Sequence, residues 1–157
     1  MRIGPTLLVV AAAVLAVIAV LPRCGGRSRG RVVAASWTLT PGVLNAAVTQ
    51  ATIQSTICVR GWTRTIRPPT DYTNRLKRKG LEAYGLRGPP RNYQEDHQIS
   101  LELGGDPDDP RNLWPEPYPR AAEVDRIENQ LNAEVCSRKL TLAEAQRRES
   151  ALKHADG

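Results

Sequence analysis

The sequence predicts an α+β domain in which a short β hairpin is followed by an amphipathic helix. Further helices surround this core, and an apolar segment precedes it. Residues 98–103 alternate polar and apolar side chains, which is the period of a half-buried strand, and Gly104-Gly105 ends the run. Residues 121–136 repeat apolar side chains at intervals of three and four, the spacing of one helical face. The length of 157 residues suits one modest domain with an appendage.

The N-terminal segment contains an unbroken apolar run over residues 6–21, preceded by Arg2. This run has the length of a signal-peptide core or a short membrane anchor. Residues 33–35, Val-Ala-Ala, offer the small side chains at which a signal peptidase cuts, here before Ser36. An uncleaved anchor is the alternative, because arginines after the run would hold that side in the cytoplasm. These arginines are Arg23, Arg27, Arg29 and Arg31.

The chain therefore divides into a leader, residues 1–35, and a domain, residues 36–157, whose expected place is secreted or extracytoplasmic. The leader is expected to be a signal peptide, or a membrane anchor through residues 6–21, with a basic linker. Cleavage would discard Cys24 and leave Cys58 and Cys136 as an even pair in an exported chain. We expect these two to form a disulfide, with two buried free thiols as the alternative.

Three further segments carry helix signals. Residues 37–58 are uncharged and rich in β-branched side chains, so a helix, which the apolar spacing favours, competes with a buried strand. Residues 71–84 are expected to form a helix that Gly85 stops. Thr141 and Glu144 form a capping-box pattern at the start of another helix, which runs to about residue 153. His154, close to the end of this sequence, is expected to fray and is not counted as a ligand.

Positive charge is concentrated in residues 60–91, which carry nine Arg and Lys residues against two acids. The whole chain has a formal charge of +6, whereas residues 92–157 are net negative. A basic segment of this kind is the electrostatic footprint of nucleic-acid binding, although a solvated helix has the same composition. The expected phosphate contacts are Arg75, Lys77, Arg78, Lys79, Arg87 and Arg91.

Asp96 and His97 are the candidate centre of chemistry. A carboxylate supplies a hard oxygen ligand for a divalent cation, and an imidazole beside it supplies a base that titrates near neutrality. From the alternation in residues 98–103, both residues are expected at the start of a strand.

The surroundings of this pair resemble the core of the HNH nuclease family, whose fold is a ββα-metal hairpin and helix. Four short motifs carry the resemblance, over about residues 93–136: Asp96-His97, Ser100-Leu101, Gly104-Gly105 and Asn112-Leu113. In that family the first-strand His activates water as a general base, the acid before it binds the metal, and the Asn holds the hairpin or the His in place. The resemblance implies these roles for His97, Asp96 and Asn112.

The sequence departs from the common family pattern at two points. Ser100 stands where Pro is frequent, and neither a second His nor a Cys-x-x-Cys-His follows Asn112. The missing ligand is therefore sought on the helix over residues 121–136, whose polar face carries Asp125, Glu128, Asn129 and Asn132. Asn129 is preferred, since the family often uses an Asn or His from this helix, and Glu128 is the other choice. Oxygen ligands favour Mg²⁺ or Mn²⁺ over Zn²⁺.

The predicted function is a metal-dependent endonuclease of the HNH type that hydrolyses phosphodiester bonds, with nucleic acid, DNA rather than RNA, as the partner. One divalent cation is expected and no organic cofactor. The alternative is a non-catalytic, disulfide-stapled module that binds anionic polymers at the cell envelope. A third reading takes residues 106–109, Asp-Pro-Asp-Asp, as a calcium-stabilised loop without catalysis.

Overall fold

A computed structural model describes Met1 and residues 33–156, so the apolar run over residues 6–21 lies outside the described residues. Within them, two strands and four helices follow in the order α1, α2, β1, β2, α3 and α4, which confirms the α+β class. Among these described helices none is long and apolar enough to cross a membrane. The strands are β1 (Tyr93–His97) and β2 (Leu113–Pro117), and the helices are α1 (Trp62–Ile66), α2 (Thr70–Ala83), α3 (Arg120–Cys136) and α4 (Leu142–Asp156).

The two strands form an antiparallel pair in which Asp96 lies opposite Trp114 and His97 lies opposite Leu113. Asp96 and His97 therefore end β1, and the prediction that they begin a strand over residues 98–103 is wrong. Residues 98–103 are buried on both sides of the chain apart from Glu102, which is half-buried, so their alternation does not mark a solvent face. Residues 101–103 instead make a short 3₁₀ turn.

Asn112 explains why the strand stops at His97. Its side-chain oxygen accepts from the backbone N–H of Ile99, at 2.9 Å, and of Val43, at 3.3 Å. Its amide nitrogen donates to the carbonyls of Ile99, at 3.0 Å, and Asp106, at 2.9 Å. This fully buried side chain thus satisfies the backbone of Ile99 on both sides, as a neighbouring strand would. The loop between the strands is held around it.

The helix favoured for residues 37–58 is not formed; the segment consists of turns and one 3₁₀ turn at Ile53–Ser55. Hydroxyl groups bind the local backbone instead. Thr52 donates to Ala47 O at 2.8 Å, and Thr56 donates to Thr52 O at 2.7 Å. Such side-chain bonds offer the backbone an alternative to a helix.

The other three helices confirm their predicted positions to within a few residues. α2 ends before Gly85, which has a φ of +61°, and the Thr141 hydroxyl accepts from Glu144 N at the start of α4. α2 packs closely on β2 at Gly80, where a Cβ would come within 2.8 Å of the Pro115 ring. α4 continues to Asp156, beyond the predicted end.

The main apolar core lies between the 37–58 segment, the 3₁₀ turn of residues 101–103, α3 and α4. Its buried members are Val48, Ile53, Ile57, Ile99, Leu103, Leu131, Val135, Leu142 and Ala145. Beside this core the Cys58–Cys136 disulfide, predicted from the cysteine count, is present. It joins the turn-rich segment to the last residue of α3 across 78 positions of sequence.

Removing this disulfide should lower the free energy of unfolding, because a cross-link over so long a loop restricts the unfolded chain. The chain-entropy relation gives about 4 to 5 kcal/mol. Urea unfolding of wild type and of Cys58→Ser/Cys136→Ser, both with reductant and without, measures the effect. The wild type should lose stability on reduction while the double variant stays unchanged. Equal stability of all four samples would contradict a stabilising bridge.

Asn112→Ala should destabilise the domain by about 3 kcal/mol, because it leaves buried N–H and C=O groups without partners. Asn129→Ala is the matched control, since Asn129 is exposed and its amide donates to Asp125 O within α3. Thermal and urea unfolding compare the two variants. An Asn112→Ala variant as stable as wild type and Asn129→Ala would show that the loop does not depend on the buried amide.

Candidate active site

A polar cavity of about 430 Å³ opens beside the end of β1. It lies between β1, the 101–103 turn and the first half of α3, so both strand and helix supply its walls. The cavity contains the predicted residues His97, Asp96, Glu128 and Asn129 together. Its other lining residues are Arg67, Gln94, Glu95, Ser100, Leu101, Glu102 and Asp125.

His97 is buried, and its ring orientation follows from a single contact. Nε2 lies 3.1 Å from the carbonyl oxygen of Pro107. Because a carbonyl only accepts, Nε2 carries the proton and Nδ1 keeps its lone pair. Burial lowers the pKa of His97, against the opposing charge of Asp96, so the neutral ring is the stable form at neutral pH. A neutral imidazole with a free nitrogen lone pair is competent to accept a proton.

Three carboxylates in the cavity are close enough to share one cation. Asp96, Asp125 and Glu128 each offer an oxygen, and these oxygens lie within 4.8 Å of one another. Asp125 and Glu128 are three residues apart and therefore lie on one face of α3. A set of hard oxygen donors with no sulfur or nitrogen fits Mg²⁺ or Mn²⁺. The residues present thus fit the cation that the sequence predicts.

A lysine that was not predicted from the sequence lies among the same carboxylates. Lys153 of α4 has no exposed surface, and its Nζ lies 2.7 Å from Asp96 Oδ2 and 2.5 Å from Glu128 Oε1. Nζ also donates to the His97 carbonyl at 2.5 Å and lies 3.4 Å from Glu149 Oε1. All three N–H groups of the ammonium are therefore satisfied.

The charged groups of this cluster shift one another's pKa values. Burial would raise the pKa of Asp96, but the Lys153 ammonium outweighs it and the pKa lies below its ordinary value. Burial raises the pKa of Glu116 to about 9, and the charge of Asp96 adds to the shift. Glu116 is therefore protonated at neutral pH. Burial also raises the pKa of Glu128, which Lys153 partly offsets.

Gln94 connects two of the candidate ligands. Its amide nitrogen lies 3.1 Å from Asp125 Oδ1 and 3.4 Å from Asp96 Oδ1, while its oxygen accepts from the Tyr118 hydroxyl at 3.0 Å. The neighbouring residue, Glu95, is also part of the wall, and burial raises its pKa to about 8. Gln94 lies two residues before Asp96 on the same strand, so the two side chains lie on the same face. A correct placement of β1 from the sequence would have predicted this.

The basic residues of the 60–91 segment differ in their surroundings. Among the described residues that line the cavity, Arg67 is the one arginine or lysine, and it was not among the six predicted phosphate contacts. Lys79 lines a different, more apolar cavity of about 260 Å³ beside α2. Lys77 donates to Tyr93 O at 3.1 Å, and Arg75 pairs with Asp71. The remaining predicted contacts, Arg78, Arg87 and Arg91, are exposed.

The other predicted residues have local partners. The Asn129 amide nitrogen donates to Asp125 O at 2.6 Å, and Asn129 lines the cavity together with Asp96, Asp125 and Glu128. In the loop over residues 106–109, Asp106 Oδ1 accepts from the N–H groups of Asp108 and Asp109. These carboxylates shape the turn that carries Pro107 to His97.

The expectation that His154 frays is wrong. Its ring stacks on Trp37 with the ring centroids 3.4 Å apart, and its nitrogens lie 3.1 Å from Thr40 O and 2.7 Å from Ser150 O. These contacts hold α4 against the first residues of the described domain, and α4 carries Lys153 into the cluster.

No protein-family model, no curated protein and no solved structure matches the chain. The resemblance to the HNH family therefore rests on the residues themselves.

Proposed function

We propose that the protein is a metal-dependent endonuclease of the ββα-metal type, acting on nucleic acid, DNA rather than RNA. The observation that carries the proposal is the pairing of a neutral imidazole, fixed through Nε2 by Pro107 O, with three oxygen ligands in one cavity. The hairpin and α3, which together supply these groups, correspond to the ββα unit of that family. Secretion or an extracytoplasmic place suits the disulfide and belongs to the same proposal.

His97 acts as the general base. Nδ1 takes the proton of the attacking water while Nε2–H remains bonded to Pro107 O, so the ring does not turn during the transfer. Lys153 bonds the His97 carbonyl and fixes the backbone that carries the ring. Asn112 holds the loop that follows, including Asp106 next to Pro107.

Asp96, Asp125 and Glu128 would hold one Mg²⁺ or Mn²⁺. When bound, this cation supplies positive charge that stabilises the phosphate and the leaving oxygen. Arg67 anchors a phosphate at the cavity. The exposed arginine and lysine side chains of α2 and of the turn after it bind flanking phosphates.

His97→Ala should reduce phosphodiester cleavage by at least about a hundredfold, because the attacking water loses its base. Plasmid nicking with added Mg²⁺ or Mn²⁺ measures the rate, and circular dichroism with DNA binding reports on the fold. Asp96→Ala separates the roles: excess metal should recover part of its rate, whereas His97→Ala should respond to added imidazole only. A wild-type rate in His97→Ala, or no cleavage by wild type with any divalent metal, would end the nuclease proposal.

One observation favours the second candidate, a non-catalytic module for anionic polymers. Lys153 already satisfies Asp96 and Glu128, so the cluster is stable without any divalent ion. On this reading the basic surface alone has a function. Wild-type protein that binds DNA tightly but leaves it uncut across a series of divalent metals would identify this function.

Charge reversal on α2 should weaken DNA binding and flatten its salt dependence, because fewer counterions are released. The variant is Arg78→Glu/Lys79→Glu, since both side chains are exposed. Arg148→Glu, on α4 and paired with Glu144, is the control. Binding is measured by fluorescence anisotropy from 50 to 300 mM salt, a range of roughly the width over which such slopes are resolved. A slope unchanged by the α2 variant, or changed equally by the control, would move the interface elsewhere.

A further inference from the structure

Lys153 has the surroundings of a bound cation. Its Nζ is enclosed by Asp96 Oδ2, Glu128 Oε1, Glu149 Oε1 and the His97 carbonyl oxygen, at distances of 2.5 to 3.4 Å. Four oxygens around one point, three of them from acidic side chains, are also a set that a divalent metal ion takes. The ammonium supplies one positive charge at this position from within the chain.

The ammonium shares its carboxylates with the cavity. Asp96 and Glu128 each give one oxygen to Lys153 and belong also to the three-acid cluster with Asp125. The two positive charges would therefore share the same two carboxylates, as two metal ions do when carboxylates bridge them.

Two acids of the cluster have buried carboxyl oxygens without a hydrogen-bond partner among the described residues. Glu149 Oε2 and both carboxyl oxygens of Glu116 are buried and accept no hydrogen bond from the described residues. Glu149 is 1% exposed and Glu116 is 0% exposed. Both side chains belong to the network around Lys153 and Asp96. This network contains more buried acids than a single surface ion pair does, which supports a cation-binding centre.

We propose that the Lys153 ammonium occupies the second cation position of this acid cluster, so that the cluster admits one divalent ion and no more. The proposal deepens the proposed function, on which it rests for the divalent ion in the cavity. Lys153 thereby acts as a positioning residue: it fixes Asp96, Glu128 and the His97 backbone and touches no substrate.

Manganese binding to the full chain tests the proposal. Bound Mn²⁺ per chain and its dissociation constant are measured by equilibrium dialysis and by the electron paramagnetic resonance signal of free Mn²⁺. Lys153→Ala vacates the position, Lys153→Gln keeps the length and N–H donors without the charge, and Lys139→Ala removes an exposed lysine as the control.

Wild type and Lys139→Ala should bind one Mn²⁺, and Lys153→Ala should bind two. Lys153→Gln should bind one ion about tenfold more tightly, because a repelling charge nearby is gone. If Lys153→Ala folds only with Mn²⁺, as followed by circular dichroism, that result also supports the proposal; if it never folds, Lys153→Gln decides alone. Wild-type number and affinity in the Lys153 variants would overturn it.

The two proposals fail in different ways. If wild type binds no Mn²⁺ while Lys153→Ala binds one, the divalent ion of the proposed function is contradicted. The role of Lys153 as a cation within the acid cluster is then supported. If wild type binds one Mn²⁺ and both Lys153 variants match it, the proposed function survives and the role of Lys153 is lost.

Discussion

The structure depends on burying the ammonium of Lys153 among carboxylates. An isolated charge at this depth would be strongly unfavourable, and so would each of the carboxylates. Together they are compatible, because β1 brings Asp96, α3 brings Glu128 and α4 brings Glu149 to one point. The raised pKa of Lys153, in which these acids outweigh burial, follows from that arrangement. Removing any one of these groups leaves the rest unbalanced, so the network specifies how three elements meet.

The sequence predicted the parts of this fold that periodicity and punctuation record. Gly85 stops α2, α3 has clear apolar spacing and a capping box starts α4, and the disulfide follows from the pair of cysteines that the predicted removal of Cys24 leaves. The failures have a common physical cause. Residues 98–103 alternate without a solvent face, and the Thr-rich segment binds its own backbone, so local patterns were overridden by tertiary contacts and side-chain hydrogen bonds.

The candidate site was predictable only where a local sequence pattern marks its residues. Asp96 and His97 adjoin one another, and Glu128 lies on a helix with an evident polar face. Lys153 is 57 positions from Asp96, in a helix whose lysine resembles any solvated one until the fold buries it. Arg67 was likewise hidden among nine basic residues whose charge pattern gives no direction. A single sequence does not show which residues far apart along the chain come into contact in the fold.

Contacts at the beginning of the described domain bear on the cleavage before Ser36 that the sequence predicts. Ala35 is buried, its N–H donates to Lys153 O at 2.8 Å, and the Ser36 N–H donates to the Tyr84 hydroxyl at 3.0 Å. A peptide bond held in this way does not fit an extended protease cleft. A peptidase that cuts before Ser36 therefore has to act on the chain in transit, before α4 docks, and a chain that folds first keeps the bond protected.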